Sequence, residues 1–361
     1  MARPSKALLN LEALRHNLAV ARSLAPNSKV MAVVKANAYG HGATTIAGAL
    51  DAHVDALAVA CLEEAVELRR AAISSPILLL EGVFEPNELA TVSELGLWLT
   101  VGNESQLYWL EQAKLTAPLP CWLKIDSGMH RLGVAPDRAR EFHQRLQASA
   151  NVQGKPTIYT HFASADELDS NQTHEQLAVF ERATAELTGE RSAANSPGLL
   201  GWPTSHYDWV RPGYMLYGNS PFLAPHPSTS NLQAVMTLRS AVISVREVDE
   251  GETVGYGASW RATRNSSIAT VTVGYGDGYP RLAKNGTPVL VKGQRAPLAG
   301  RVSMDMITVD VTDVADVKVG DEVVLWGDGL PVGEVAAHAG TIGYELTTRM
   351  PLRTPRVVVR A

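Results

Sequence analysis

Lys35 stands at the end of the apolar run VMAVV (30–34) and is followed by ANAYGHG. A lysine leaving a buried strand is partly desolvated, which lowers its pKa and frees an amine able to form a Schiff base. The same placement also suits a lysine that merely snorkels from a strand end. The Asn and Gly residues flanking Tyr39 allow a tight loop that could turn its phenol toward a ligand. NSPG (195–198) offers Asn195, the Ser196 hydroxyl and backbone N–H groups, and RPG (211–213) offers a flexible backbone beside Arg211. Either could hold a phosphate through backbone donors or be a plain turn. Lys124 and Asp126 close the run CWLKI, and His161 closes TIYTH, where a satisfied core histidine is the default. Tyr256 lies between glycines in VGYGAS, which expose its side chain, and Asp305 sits beside two methionines in RVSMDM.

Other chemistries lack their residues. No GxxxxGK[ST] indicates a nucleoside triphosphate, and no HExxH, CxxC or His/Asp cluster indicates a metal. The 361 residues carry a net charge of −5, without the basic excess that nucleic acid demands. Two cysteines, Cys61 and Cys121, read as buried core thiols rather than a disulfide framework. No run approaches the about 18 apolar residues of a membrane span. Glu12, Arg15, His16 and Asn17 interrupt any signal peptide. The expectation is a reduced cytoplasmic protein without membrane or nucleic-acid partners.

The elements that must position these residues alternate. Short apolar runs at 30–34, 56–60, 77–80, 97–100, 121–125, 157–161, 192–195 and 214–218 suit strands buried on both faces. Helical patterns separate them, one with Leu8, Leu11, Leu14, Leu18 and Ala21 on one face and Asn10 as N-cap, another opened by Asn103. Eight such strands predict an α/β chain with an N-terminal (β/α)8 TIM-type barrel. An open doubly wound sheet is disfavoured by the missing GxGxxG turn. After the polar HPSTSN (226–231) the runs become β-branched and often alternating, which predicts a mainly β C-terminal domain. Residues 1–225 are assigned to the barrel, with the first eight or so free to pair with the β domain, and 226–361 to the second domain.

With Lys35 in AVVKANAYGHG, Arg131 in KIDSGMHRLG, Arg211 in DWVRPGYMLYG, Tyr256 in VGYGAS and Met304–Asp305 in GRVSMDM, the chain resembles the alanine racemases that use pyridoxal 5′-phosphate. The resemblance implies a homodimer with shared active sites that interconverts L- and D-alanine, for peptidoglycan precursors or alanine catabolism. By it, Lys35 holds the cofactor and is the base for D-alanine, while Tyr256 of the partner subunit is the base for L-alanine. A hydrogen-bonded chain from Tyr256 through His161 to Arg211 assists, with Arg211 facing the pyridine nitrogen. Tyr39, Asn195, Ser196, Gly213, Tyr214 and Tyr344, in TIGYELTTR, belong to the cofactor site. Arg131 and the Met304 backbone hold the substrate carboxylate, and Tyr275 and Asp305 line the entrance. Lys124 matches a lysine that many members carry as a carbamate; the alternative is an ammonium paired with Asp126.

Three positions depart from the commonest family pattern: Tyr214, Ser303 and Gly276. None removes a proposed catalytic group. A barrel-type decarboxylase of basic amino acids would set a carboxylate near the pyridine nitrogen and a cysteine opposite the lysine, where this chain has Arg211 and Tyr256. A non-enzymatic cofactor-binding barrel would lack the C-terminal β segment. Because one methylene discriminates only about 10–200-fold, activity on serine is compatible with the reading.

Overall fold

The structure is a computed structural model that describes residues 3–359. Strand β1 (Lys6–Asn10) includes Leu8, expected on the helix face, and leads into α1 (Leu11–Leu24), where Asn10 caps the helix by accepting from the Ala13 N–H at 3.0 Å. Eight parallel strands then close a barrel: β2 (Lys29–Val33), β3 (Ala56–Val59), β4 (Ile77–Leu79), β5 (Trp98–Val101), β6 (Cys121–Lys124), β7 (Thr157–Tyr159), β8 (Arg191–Ser192) and β9 (Trp209–Val210). The turn α2 (Lys35–Tyr39) and helices α3 (Ala43–Leu50), α4 (Leu62–Arg70), α5 (Glu88–Glu94), α6 (Glu104–Gln112), α7 (Ala139–Ala148), α8 (Gln172–Thr184) and α9 (Ser196–Gly201) connect them. Asn103 caps α6 from the Gln106 N–H, as its place in the sequence predicts.

One strand differs from the sequence reading. The eighth barrel strand is the two-residue β9, and YMLY (214–217) forms a 3-10 turn instead. Those four side chains are buried, but outside the barrel sheet. A two-residue strand carries no periodicity of its own, whereas the apolar YMLY run mimics one. Cys121 is buried as expected, but Cys61 is partly exposed at the start of α4.

The barrel interior has two layers of opposite character, and strand alternation sets them. Met31 and Val33, Trp122, Tyr159 and Trp209 point inward and form an apolar cluster. Two residues further along each of these strands, the same parity reaches Lys35, Lys124, His161 and Arg211. The indoles of Trp98, Trp122 and Trp209 pack on one another with centroids 5.5–6.1 Å apart and floor the barrel. Above them Tyr159 stands as a pillar, its hydroxyl 3.0 Å from Thr100 Oγ1.

The remaining strands are β10 (Met236–Val248), β11 (Thr253–Val254), β12 (Trp260–Arg261), β13 (Ser266–Val271), β14 (Pro288–Val291), β15 (Gln294–Pro297), β16 (Ile307–Asp310), β17 (Glu322–Trp326) and β18 (Arg356–Val359). β1 joins this second sheet, antiparallel to β10 and parallel to β18. Along β10 burial alternates from Met236 to Val242, as a sheet with one face on a core requires. Two short helices not anticipated from the sequence, α10 (Val332–His338) and α11 (Gly343–Thr348), lie before β18.

Candidate active site

Four cationic side chains meet at the C-terminal mouth of the barrel. Arg211 is buried, and its guanidinium donates to Ser192 Oγ at 2.5 Å, to the Thr160 carbonyl at 2.6 Å and to the Ala193 carbonyl at 3.3 Å. It lies 5.0 Å from the centroid of the Tyr159 ring, and the Lys124 ammonium lies 5.6 Å from the same ring. Burial lowers the Arg211 pKa to about 10, so the group is still charged at neutral pH. Burial, then Arg211, Arg131 and Lys35, brings Lys124 down to about 8, with Glu81 opposing. Lys35 is lowered chiefly by burial and next by Arg131, against Glu81 and Glu64. His161 falls well below its ordinary value through burial and through Arg211, and is neutral at pH 7.

Lys124 does not pair with Asp126. The Asp126 carboxylate instead accepts the N–H groups of Gly128, Met129 and His130, each at 3.0 Å, and shapes the loop that carries Arg131. Among the described residues the Arg131 guanidinium has no hydrogen-bond or ion-pair partner.

Beside the cations lies a set of unspent hydroxyl donors. Ser196 Oγ accepts the N–H groups of Gly213 (2.9 Å) and Met215 (3.2 Å), and its own hydrogen has no acceptor among the described residues. A Cβ on Gly213 would stand 2.6 Å from the Tyr39 hydroxyl, so only glycine lets the two approach. Tyr214 and Tyr344 stack with centroids 3.6 Å apart, and Tyr39 lies 6.2 Å from Tyr344. Among the described residues none of these three phenols makes a hydrogen bond through its hydroxyl. Burial raises all three pKa values, that of Tyr39 to about 12, so each remains a protonated donor. Asn195 serves differently: its side chain caps α9 by accepting from Gly198 N–H at 3.0 Å.

Cations in excess of carboxylates, with four free O–H donors among them, form a cradle for a bound anion such as a phosphate ester. The donor set and the desolvated Lys35 amine fit pyridoxal 5′-phosphate.

The loop bearing Lys35 and Tyr39 is unusual. Ala36, Asn37, Ala38 and Tyr39 have φ of +51°, +54°, +52° and +52°, so four consecutive non-glycine residues are left-handed. Each such residue costs about 1–2 kcal/mol and persists only where its surroundings impose it. Asn37 braces the turn by accepting the Ala43 N–H at 2.7 Å.

Tyr256, Tyr275, Met304 and Asp305 are elsewhere. Tyr256 is 70% exposed on the second sheet's side of the chain. A Cβ on the next residue, Gly257, would stand 3.2 Å from Arg301 Cζ, while Tyr275 N–H donates to the Ser303 carbonyl and Gly276 N–H to that of Met304. Asp305 pairs with Arg353, which also holds the buried Asp277 at 3.0 Å. Among the described residues no hydrogen bond or ion pair joins this group to the barrel-mouth cations. Sequence reasoning missed Tyr159, Ser192 and Glu64. Tyr159 was within reach, since it sits two residues before His161 on the same inward parity.

Family models named "Alanine racemase, N-terminal domain" and "Alanine racemase, C-terminal domain" match residues 9–221 and 235–358. The chain belongs to the alanine racemase family. It is 53% identical to the catabolic alanine racemase of Pseudomonas putida over 354 residues, 98% of each chain. It superposes on the crystal structure of the biosynthetic alanine racemase of Pseudomonas aeruginosa with a TM-score of 0.96, at 48% identity, covering 99% of this chain and 100% of that one. The alanine racemase of Bartonella henselae, whose structure holds covalently bound pyridoxal phosphate, gives 0.89 at 32% identity over 99% of each chain. Members of this family are amino-acid isomerases, and the barrel-plus-β architecture expected of the chain is the one these relatives share.

Proposed function

We propose that the chain is a pyridoxal 5′-phosphate enzyme that interconverts L- and D-alanine, acting as a homodimer whose sites draw on both subunits. One observation carries the reading: the desolvated Lys35 amine, the pinned Arg211 and the free hydroxyls of Tyr39, Ser196, Tyr214 and Tyr344 converge at one barrel mouth. In this reading the tyrosines, Ser196 and the Gly213 backbone hold the phosphate, with Asn195 fixing the helix that presents Ser196. The domain division near residues 225–226 is part of the same proposal.

Pyridoxal phosphate, when bound, supplies an electron-withdrawing ring that acidifies the substrate's Cα–H. Lys35 Nζ takes or returns the proton on one face, and the phenol oxygen of Tyr256 of the partner subunit does so on the other. His161, neutral at pH 7, is suited to accept a hydrogen bond from that phenol. Arg211 keeps its own proton, so an acceptor nitrogen set against it receives a hydrogen bond but no proton. That restrains charge delocalisation and favours return of the proton to Cα. Arg131, without a protein partner, pairs with the substrate carboxylate, assisted by the Met304 backbone of the partner subunit. Tyr275 and Asp305 of the partner subunit line the entrance. Lys124 supports Arg131 as a carbamate, since its ammonium would repel the guanidinium.

Decay of the optical rotation of pure L-alanine on adding cofactor-loaded protein tests the reading. Decay to zero with alanine conserved is expected. No decay, with the cofactor shown to be attached to Lys35, would overturn the substrate assignment.

A further inference from the structure

The segment after Lys35 adopts a conformation that its own residues disfavour, and two side chains from distant parts of the chain grip it. Glu64, on α4, accepts the Ala36 N–H at 2.6 Å with one carboxylate oxygen and the Ala60 N–H at 2.8 Å with the other. It thereby ties the start of the turn to the end of β3. Arg356, on β18, donates to the Gly40 carbonyl through Nε at 3.0 Å and Nη2 at 2.9 Å. Its remaining hydrogens go to the carbonyls of Met350 (2.7 Å), Pro351 (2.8 Å) and Thr354 (3.3 Å). No lysine could reproduce that forked pattern.

We propose that Glu64 and Arg356 are positioning residues for the reaction: they hold residues 36–39 left-handed and so set Lys35 and Tyr39 at the barrel mouth before any ligand arrives. The proposal rests on the reading of Lys35 as the cofactor-bearing lysine. Neither residue touches the reacting atoms. Arg356 links the second sheet to the loop bearing the catalytic lysine, and Glu64 links that loop to the barrel wall. Together they brace both ends of the turn. Ala36 and Asn37 are exposed and contribute little packing to resist relaxation. When the brace is lost, the turn relaxes and the competent fraction falls. Apparent cofactor affinity falls by the same fraction.

The test uses the full-length chain, first without cofactor. Hydrogen exchange across residues 36–42 is measured in wild type, Arg356→Lys and Glu64→Gln, and in Arg356→Lys combined with Ala36→Gly. Glycine carries no left-handed penalty, so at position 36 it relieves one of the four strained residues without restoring the brace. Faster exchange confined to this segment is expected in both single variants, with protection partly regained in the double variant. Titration with pyridoxal 5′-phosphate should then show about tenfold weaker affinity for Arg356→Lys, with about fivefold recovered by Ala36→Gly.

Unchanged exchange at 36–42 in both single variants overturns the proposal. So does an affinity loss that Ala36→Gly does not lessen, since a merely structural role for Arg356 predicts no glycine rescue. Should Arg356→Lys not fold, Glu64→Gln with and without Ala36→Gly carries the same comparison. Should wild type fail to bind the cofactor at all, the proposed function falls, while exchange in the unliganded protein still decides the brace.

Discussion

The barrel mouth concentrates positive charge at a depth where water screens it poorly, and Lys124 bears the consequence. It is buried within the influence of Arg211, Arg131 and Lys35, and among the described residues no carboxylate pairs with it. Its folded pKa of about 8 lies below the ordinary 10.5, so the folded state binds the proton less tightly than the unfolded chain. Below pH 8 the ammonium is charged in both states and destabilises the fold by roughly 3 kcal/mol at most. The penalty fades as pH rises from 8 toward 10.5 and is absent above. Lys124→Met should therefore raise the melting temperature by several degrees at pH 7 in carbonate-free buffer, with the advantage gone by about pH 10.5. Thermal unfolding at a series of pH values checks this, and a lowered melting temperature at pH 7 would contradict the assigned electrostatics. Residues of this kind were legible as charged groups following apolar runs. Their partners were not, because Thr160 and Ala193 engage Arg211 through backbone carbonyls that any residue provides, and Ser192 through a lone hydroxyl in an otherwise apolar run.

At the scale of elements, close backbone approach decides how the loops meet. Gly40 has φ +81°, and a Cβ there would stand 1.8 Å from the Thr347 carbonyl oxygen of α11. Gly48 lies exposed inside α3 with nothing within 4 Å of its Cβ position. The same substitution should act with opposite signs. Gly40→Ala should cost about 3 kcal/mol or more, from left-handed strain plus displacement of α11. Gly48→Ala should stabilise by about 0.5–1 kcal/mol through helix propensity. Denaturant midpoints at constant slope measure both. Most barrel strands could be read from the sequence because continuous apolar runs are a strong signal. The eighth could not, because β9 is two residues long while its apolar neighbours 214–217 imitate a strand. The left-handed turn was only partly legible, as the tight loop that Asn37 and Gly40 allow. Asn37 tolerates positive φ but Ala36, Ala38 and Tyr39 ordinarily avoid it, and the side chains that grip the turn, Glu64 and Arg356, are remote in sequence.

At the scale of the whole molecule, the two groups of site residues lie apart within one chain. The barrel mouth holds Lys35, while Tyr256 (70% exposed), Met304 (52%), Met306 (43%) and Tyr275 (41%) leave apolar surface uncovered on the second sheet's side. Exposed apolar surface gathered with motif residues is the signature of an interaction face. A homodimer related by a two-fold axis would bring each Tyr256 to the other chain's Lys35. Lys35→Ala and Tyr256→Phe should each abolish most activity in the pure dimer. In a mixed dimer, one site receives both altered residues and the other receives neither. If subunits exchange at random, half the dimers are mixed and each carries one intact site, so about a quarter of wild-type activity should return. Racemase assays on the inactive variants, before and after mixing and with exchange verified by mass-tagged chains, read this directly. Exchange without recovery would mean that each site is complete within one chain. Tyr256 would then have to reach Lys35 by a movement of its own exposed turn rather than by assembly.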